Sequence, residues 1–350
     1  MPLNISKPNR VDSLDYLRGL MAFLIMLYHY FSWHYYGFDS KDFMGRIGVY
    51  GVSMFYILSG LTLYIVYKEK LFLNGYWQYF KRRILRIYPL LILITLLTIF
   101  LLKNYIYVLT TARPLESLLL NISGIFGFVE PKRYIATGAW SIGNELVFYV
   151  FFPVILILTK WKNYMLFVFF AISLVIGCYF AYFIIDTDVS LSKNWEAYIN
   201  PFNQIFLFIG GMVIAEIFYF GRLKSLAWPN FLILLFLLLF IFYPANGDRV
   251  NIISNANRFI FSFCCFFIVI SFLKSKIILT KWVSFPFKTL GDISYTLYLL
   301  HPLVYYTLLK YSLLPENKEF SFIICIITTL LFSVIIYNLI EKPFMKLGRK

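Results

Sequence analysis

The chain has 350 residues, of which 61% are hydrophobic, 21% aromatic and 14% charged, against roughly 45–50% apolar and 25% charged in soluble domains. With a mean hydropathy of +0.75, this composition excludes a disordered chain, a collagen and a soluble enzyme, and leaves an all-α polytopic membrane protein whose surface suits lipid. The net charge of +15 lies in the short segments between apolar runs, where it orients the chain in the bilayer, so it is not read as a nucleic-acid-binding surface.

From the N-terminus, a dozen polar residues precede an apolar run with no small-residue cleavage site behind it, which predicts a retained helix and not a signal peptide. Runs long enough to cross about 30 Å at 1.5 Å per residue number ten. They are 15–36, 47–67, 87–108, 140–159, 165–186, 201–220, 230–243, 257–273, 291–311 and 320–340. The 230–243 run is short, and the apolar piece from Leu115 to Phe128 is left as an amphipathic or re-entrant segment.

With a cytoplasmic N-terminus, the inner segments hold 20 of the 32 Lys and Arg residues and the outer segments and helix ends 11, leaving Arg18 inside the first helix. Both termini are therefore placed in the cytoplasm. No internal repeat or long loop divides the chain, so residues 1–350 are read as one transmembrane domain. Cys178, Cys264, Cys265 and Cys325 all lie in apolar runs and imply neither a disulfide framework nor a zinc site.

Ionisable side chains at depth carry the functional signal, because each costs on the order of 2.5–3.5 kcal/mol to insert. Arg18 and His29 share the first helix. Their 11-residue separation turns through about 1100°, three turns and roughly 20°, for a rise of about 16 Å, which puts both on one face. Asp15 and Ala22 lie one turn to either side of Arg18 on that stripe. His29 is read as a functional base or as a structural hydrogen-bonder.

Glu145 follows Trp140-Ser141, with Ser141 the expected N-cap of a helix entering from outside. Its depth matches that of His29, so the two are expected to meet as a carboxylate–imidazole dyad, unless Glu145 only caps its helix or pairs with Asn144. His301 precedes Pro302, and the simplest reading is that it satisfies the carbonyl freed by the kink. The run Lys81-Arg82-Arg83-Ile84-Leu85-Arg86 before Tyr88-Pro89 is a phosphate site, as for coenzyme A, or a contact for anionic membrane lipid. The chain has no Walker loop or dinucleotide fingerprint, no two of its three histidines have metal-ligand spacing, and Ala139 stands where a nucleophile elbow needs glycine. No metal is expected.

Leu14-Asp15-Tyr16-Leu17-Arg18-Gly19 with His29, then Phe55 to Gly60 including Ser59, resembles the signature of the acyltransferase family 3 membrane proteins. The likeness continues through Arg82, Arg83, Arg86, Tyr88 and Pro89, Trp140-Ser141 with Glu145, Gly291 to Pro302 including His301, and Glu341-Lys342-Pro343. It implies transfer of an acyl group, most often acetyl, from cytoplasmic acetyl-CoA to a hydroxyl of a surface polysaccharide or its lipid-linked precursor, such as an O-antigen, across a cell (inner) membrane. On that reading Arg82, Arg83, Arg86 and Tyr88 hold coenzyme A. The pantetheine arm passes Arg18, and His29 with Glu145 is either general base or transient acyl carrier. Asp15, Ser59, Trp140, Ser141 and His301 support the site. The chain is expected to lack the extracytoplasmic esterase-like domain of some members, since its last run ends ten residues before Lys350. The competing reading is a transporter or flippase with Arg18, His29 and Glu145 along its path. A polysaccharide polymerase fits less well, because the arginine cluster faces inward.

Overall fold

The computed structural model describes residues 11–70, 75–102, 113–221, 223, 225–277 and 279–349. Lys7, Arg10, Lys103, Arg222, Lys224 and Lys350, six of the charges used to orient the chain, lie outside them, as does the end of the 87–108 run. The described residues form helices and connections and no strand.

Helix α1 (Asp12–His34) opens with Asp12 and Asp15 in its first turn, where carboxylates meet the positive end of the helix dipole. It is followed by α2 (Phe43–Tyr67), α3 (Gly75–Leu102) and the short α4 (Pro114–Ser123) and α5 (Phe126–Val129). Then come α6 (Ala139–Trp161), α7 (Met165–Tyr179), α8 (Trp195–Ile199) and α9 (Pro201–Ile214). The last group is α10 (Pro229–Phe242), α11 (Val250–Ile253), α12 (Asn255–Lys274), α13 (Lys281–Lys310), α14 (Lys318–Ile336) and α15 (Lys342–Leu347). Three helices widen into π turns at their ends: α7 over Phe180–Ile184, α9 over Ala215–Phe220 and α14 over Tyr337–Glu341. The segment from Leu115 to Phe128 is thus two short helices, and Leu115 and Leu119 of α4 are exposed.

Among the described residues, seven helical segments are long and apolar enough to cross a membrane: 43–67, 75–102, 139–161, 165–184, 195–220, 255–274 and 318–347. They coincide with seven of the ten expected runs. The other three fall on α1, α10 and α13, and each misses for a physical reason. Helices α1 and α13, of 23 and 30 residues, have the length but carry Asp12, Asp15, Arg18, His29, Asp292 and His301. They pack along one another, so much of their surface meets protein and needs no lipid solubility.

Glycine makes that packing possible. A Cβ on Gly19 would stand 2.5 Å from the Gly291 nitrogen, and one on Gly291 would stand 2.7 Å from the Asp15 carbonyl oxygen, so the two backbones touch. Gly60 of α2 and Gly211 of α9 form a second such crossing, against the backbones at Phe208 and Ile57.

Helix α10 has only 14 residues, about 21 Å of rise. Its last carbonyls would end without partners. Arg46 of α2, 2% exposed, supplies them: it donates to the carbonyls of Phe240 (2.6 Å), Ile241 (2.7 Å) and Tyr243 (2.8 Å), and to Ser40 (2.7 Å). Arg46→Met is therefore expected to destabilise the protein by about 3 kcal/mol or more, since each buried unpaired acceptor costs about 1–3 kcal/mol. Thermal unfolding in detergent checks this. Arg46→Lys should fall between wild type and Met, and an unchanged midpoint for Met would mean that the carbonyls find other donors.

Candidate active site

The first turns of α1, the last turns of α2, Arg83 and Arg86 in the first half of α3, Gly291 and Asp292 of α13, the π turn ending α14 and the C-terminal α15 enclose an inner cavity of about 1640 Å³, open mouth included. Its ionisable lining comprises Arg18, Arg83, Arg86, Lys342, Lys346 and Arg349 against Asp15, Asp292 and Glu341, an excess of three positive charges. Asp15 accepts from Arg18 at 3.0 Å. Glu341, brought to the cavity by the π turn that ends α14, accepts from Thr296 at 2.7 Å.

Deeper in the bundle lies a second chamber of about 740 Å³, again including its opening. Its walls carry hydroxyl groups from α2 (Tyr56, Ser59, Thr62), α6 (Ser141, Tyr149) and α13 (Ser294, Tyr295, Tyr298), with Glu145 among them. Arg18, Thr62, Arg83 and Arg86 line both spaces and form the collar between them. Tyr149 donates to Glu145 Oε2 at 2.9 Å, and Ser59 lies 3.0 Å from the Tyr149 hydroxyl. Because the phenolic proton goes to the carboxylate, Ser59 is the donor in that second bond. The Arg83 guanidinium sits over the Tyr149 ring at 5.8 Å, and its buried Nε has no hydrogen-bond partner among the described residues.

The expected pairing of Glu145 with His29 does not form. Ala139, Trp140 and Ser141 are all buried, so α6 begins inside the protein and not at its outer surface. Glu145 lines the chamber with Arg18, whereas His29 lines neither cavity. Ser141 is not an N-cap either. Gly138 takes that position at φ 89°, and the Ser141 hydroxyl is within 3.0 Å of the Gly138 carbonyl and 2.9 Å of the Tyr298 hydroxyl. Trp140 packs edge-on against Trp195.

His29 pairs instead with His301. His301 Nδ1 is 3.2 Å from the Leu297 carbonyl, which can only accept, so that nitrogen carries the proton and Nε2 is the acceptor. His29 Nδ1 then faces two acceptors, the Ile25 carbonyl at 2.9 Å and His301 Nε2 at 3.1 Å, and must itself be the donor. Assigned from these partners, the neutral His29 presents Nε2 with its lone pair bare. Trp33 and Tyr28 flank the ring, with centroids at 5.1 and 4.8 Å. Neither cavity includes His29, but Tyr298, on the chamber wall, has its ring 6.1 Å from that of His301. Pro302 frees the carbonyl of Tyr298, whereas His301 Nδ1 bonds that of Leu297, so the ring's hydrogen bonds go to Leu297 and His29 and not to the kink.

The arginine cluster divides as well. Arg83 and Arg86 enter the collar, whereas Arg82 donates to the Gly348 carbonyl at 3.2 Å and Tyr88 to the Ser123 carbonyl at 2.6 Å, away from both cavities. Successive residues on a helix point about 100° apart, so a run of arginines cannot share one face. Tyr149, Lys346 and Arg349 were missed. Tyr149 is signalled by its four-residue spacing from Glu145, and in the sequence the two C-terminal cations stand out only as members of the 20 inner-segment charges.

These elements define a multi-pass membrane protein with a cation-lined entrance, a hydroxyl-lined chamber and a histidine pair. The family model described as an acyltransferase domain matches residues 11–338, and the chain belongs to acyltransferase family 3. "Putative O-acetyltransferase SACOL0978" of Staphylococcus aureus (strain COL) is 25% identical over 377 residues, 98% of this chain and 59% of that protein. "O-acetyltransferase OatA" of Staphylococcus aureus (strain NCTC 8325 / PS 47) is 24% identical over 374 residues, 98% of this chain and 58% of that protein. The chain thus spans less than two thirds of these relatives. No solved structure gives a significant match.

Proposed function

We propose that this chain transfers an acyl group, most often acetyl, from cytoplasmic acyl-CoA to a hydroxyl of a cell-surface glycan or lipid-linked saccharide, from within the cell membrane. In this arrangement α1, α10 and α13 complete ten spans with both termini inside. The observation that carries the reading is the continuity of the cationic inner cavity with the hydroxyl-lined chamber through Arg18, Thr62, Arg83 and Arg86. Phosphates of the donor meet Lys342, Lys346 and Arg349 at the entrance together with Arg83 and Arg86, since guanidinium forks suit phosphate oxygens. Arg82 and Tyr88 leave that group. The pantetheine arm lies along the collar, and the thioester advances past Tyr298 toward His29. The relatives named O-acetyltransferase support oxygen as the acceptor atom and acetyl as the group moved.

His29 Nε2 takes the proton of the acceptor hydroxyl as its oxygen bonds to the thioester carbon. The carbon–sulfur bond breaks with its electron pair on sulfur, and the proton returns from His29 to the thiolate. The products are an ester and free coenzyme A.

The test uses purified protein in liposomes with radiolabelled acetyl-CoA and a crude glycolipid acceptor. Label is expected in the acceptor. Bound coenzyme A without transfer would reject the acetyl donor or this acceptor class, and absence of any coenzyme A binding would overturn the reading in favour of transport.

A further inference from the structure

The hydrogen-bond directions around His29 assign a role to His301 that its place beside a proline conceals. We propose that His301 is a positioning residue for His29: its Nε2 lone pair fixes the His29 proton on Nδ1, and it shares that proton when Nε2 becomes protonated. The inference rests on the reading of His29 as base, but its central claim, the tautomer of His29, stands without it.

The directions follow from acceptors that cannot reverse. The Leu297 carbonyl holds the proton of His301 on Nδ1, and His301 Nε2 and the Ile25 carbonyl together hold that of His29 on Nδ1. His301 is 1% exposed. Its backbone is anchored by Tyr30, whose hydroxyl donates to the His301 carbonyl at 2.9 Å and meets Thr329 at 2.6 Å. The rings of His29 and His301 lie 5.0 Å apart and inclined by 33°, with Trp33 against both. The pair is therefore held by α1, α13 and α14 together.

A neutral imidazole suits this place better than a carboxylate. A carboxylate partner would orient the base equally well, but would bring a permanent charge whose desolvation costs several kcal/mol. A neutral lone pair accepts the Nδ1 proton without that cost and stabilises the imidazolium only while it exists. The chain then needs no acid beside His29, which agrees with Glu145 being engaged by Tyr149.

The chain has three histidines, so ¹⁵N spectra of histidine-labelled protein in lipid nanodiscs can be assigned by single substitutions. Wild-type His29 is expected to show a protonated Nδ1 and a bare Nε2. In His301→Leu the Ile25 carbonyl is the acceptor left on Nδ1, so an Nε2-protonated form should appear beside the Nδ1 form, and turnover should drop about 100-fold with the Michaelis constant for acetyl-CoA unchanged. His301→Gln keeps an acceptor near the Nε2 position and should recover turnover to within about tenfold of wild type. A His29 protonated on Nε2 in wild type overturns the proposal. So does a leucine variant with normal turnover, or a folded glutamine variant as inactive as leucine. If the leucine variant does not fold, the wild-type spectrum and the glutamine variant decide. If His29→Ala retains transfer while the tautomer is as expected, the failure lies with the base assignment and not with the His29–His301 geometry.

Discussion

His29→Ala is expected to lower acyl transfer about 1000-fold, within the range that a positioned base contributes, while the protein stays folded and still binds coenzyme A. Binding survives because His29 lines neither cavity. Transfer of label and retention of coenzyme A on the same liposomes check both halves. Activity within threefold of wild type would remove His29 from the chemistry, and loss of coenzyme A binding would show that the ring supports the fold. Glu145→Gln separates this geometry from a carboxylate–imidazole dyad. A dyad predicts the same collapse of turnover. With Glu145 placed among Arg18, Arg86 and Tyr149 at the chamber wall, the substitution should instead act mainly on how the donor is held.

Arg83→Ala combined with Arg86→Ala should raise the apparent Michaelis constant for acetyl-CoA about 100-fold and lower turnover by much less. Two charge-assisted contacts at about 1.5 kcal/mol each amount to roughly 3 kcal/mol, or two powers of ten. Arg82→Ala provides the contrast. Its guanidinium is spent on the Gly348 carbonyl, so it should leave that constant within about threefold. Steady-state kinetics against acetyl-CoA concentration measure all three. An unchanged constant in the double variant would return the cluster to anionic lipid, and an Arg82 effect as large as the double variant would mean that position along the run, and not direction, selects the contact.

The site was legible where its information is local. Arg18 and His29 were recognised as two buried polar residues on one helical face because a 3.6-residue period is a property of the backbone alone. Glu145 was recognised as a carboxylate at depth. Its partner was not, because depth was counted from a surface that α6 does not touch, and a helix starting on buried Ala139 and Trp140 shifts every later residue inward. His301 was visible as an oddity beside Pro302 but not as the neighbour of His29, 272 residues away. The same holds for Arg46, which its place between the first two apolar runs puts among the outer-segment charges and which closes the end of α10.

Composition by itself determined that this is a helical membrane protein, and period and order of motifs determined which helices carry its polar stripes. Those properties follow from transfer free energy and backbone geometry, which act residue by residue. Tertiary structure alone decided that α1 and α13 meet through Gly19 and Gly291, that Arg83 and Arg86 but not Arg82 face the cavities, and that His29 is matched with His301. In a bundle of parallel and antiparallel helices, partners are set by which backbones can approach and by which buried donors and acceptors must be satisfied together, and neither constraint is contained in any one segment.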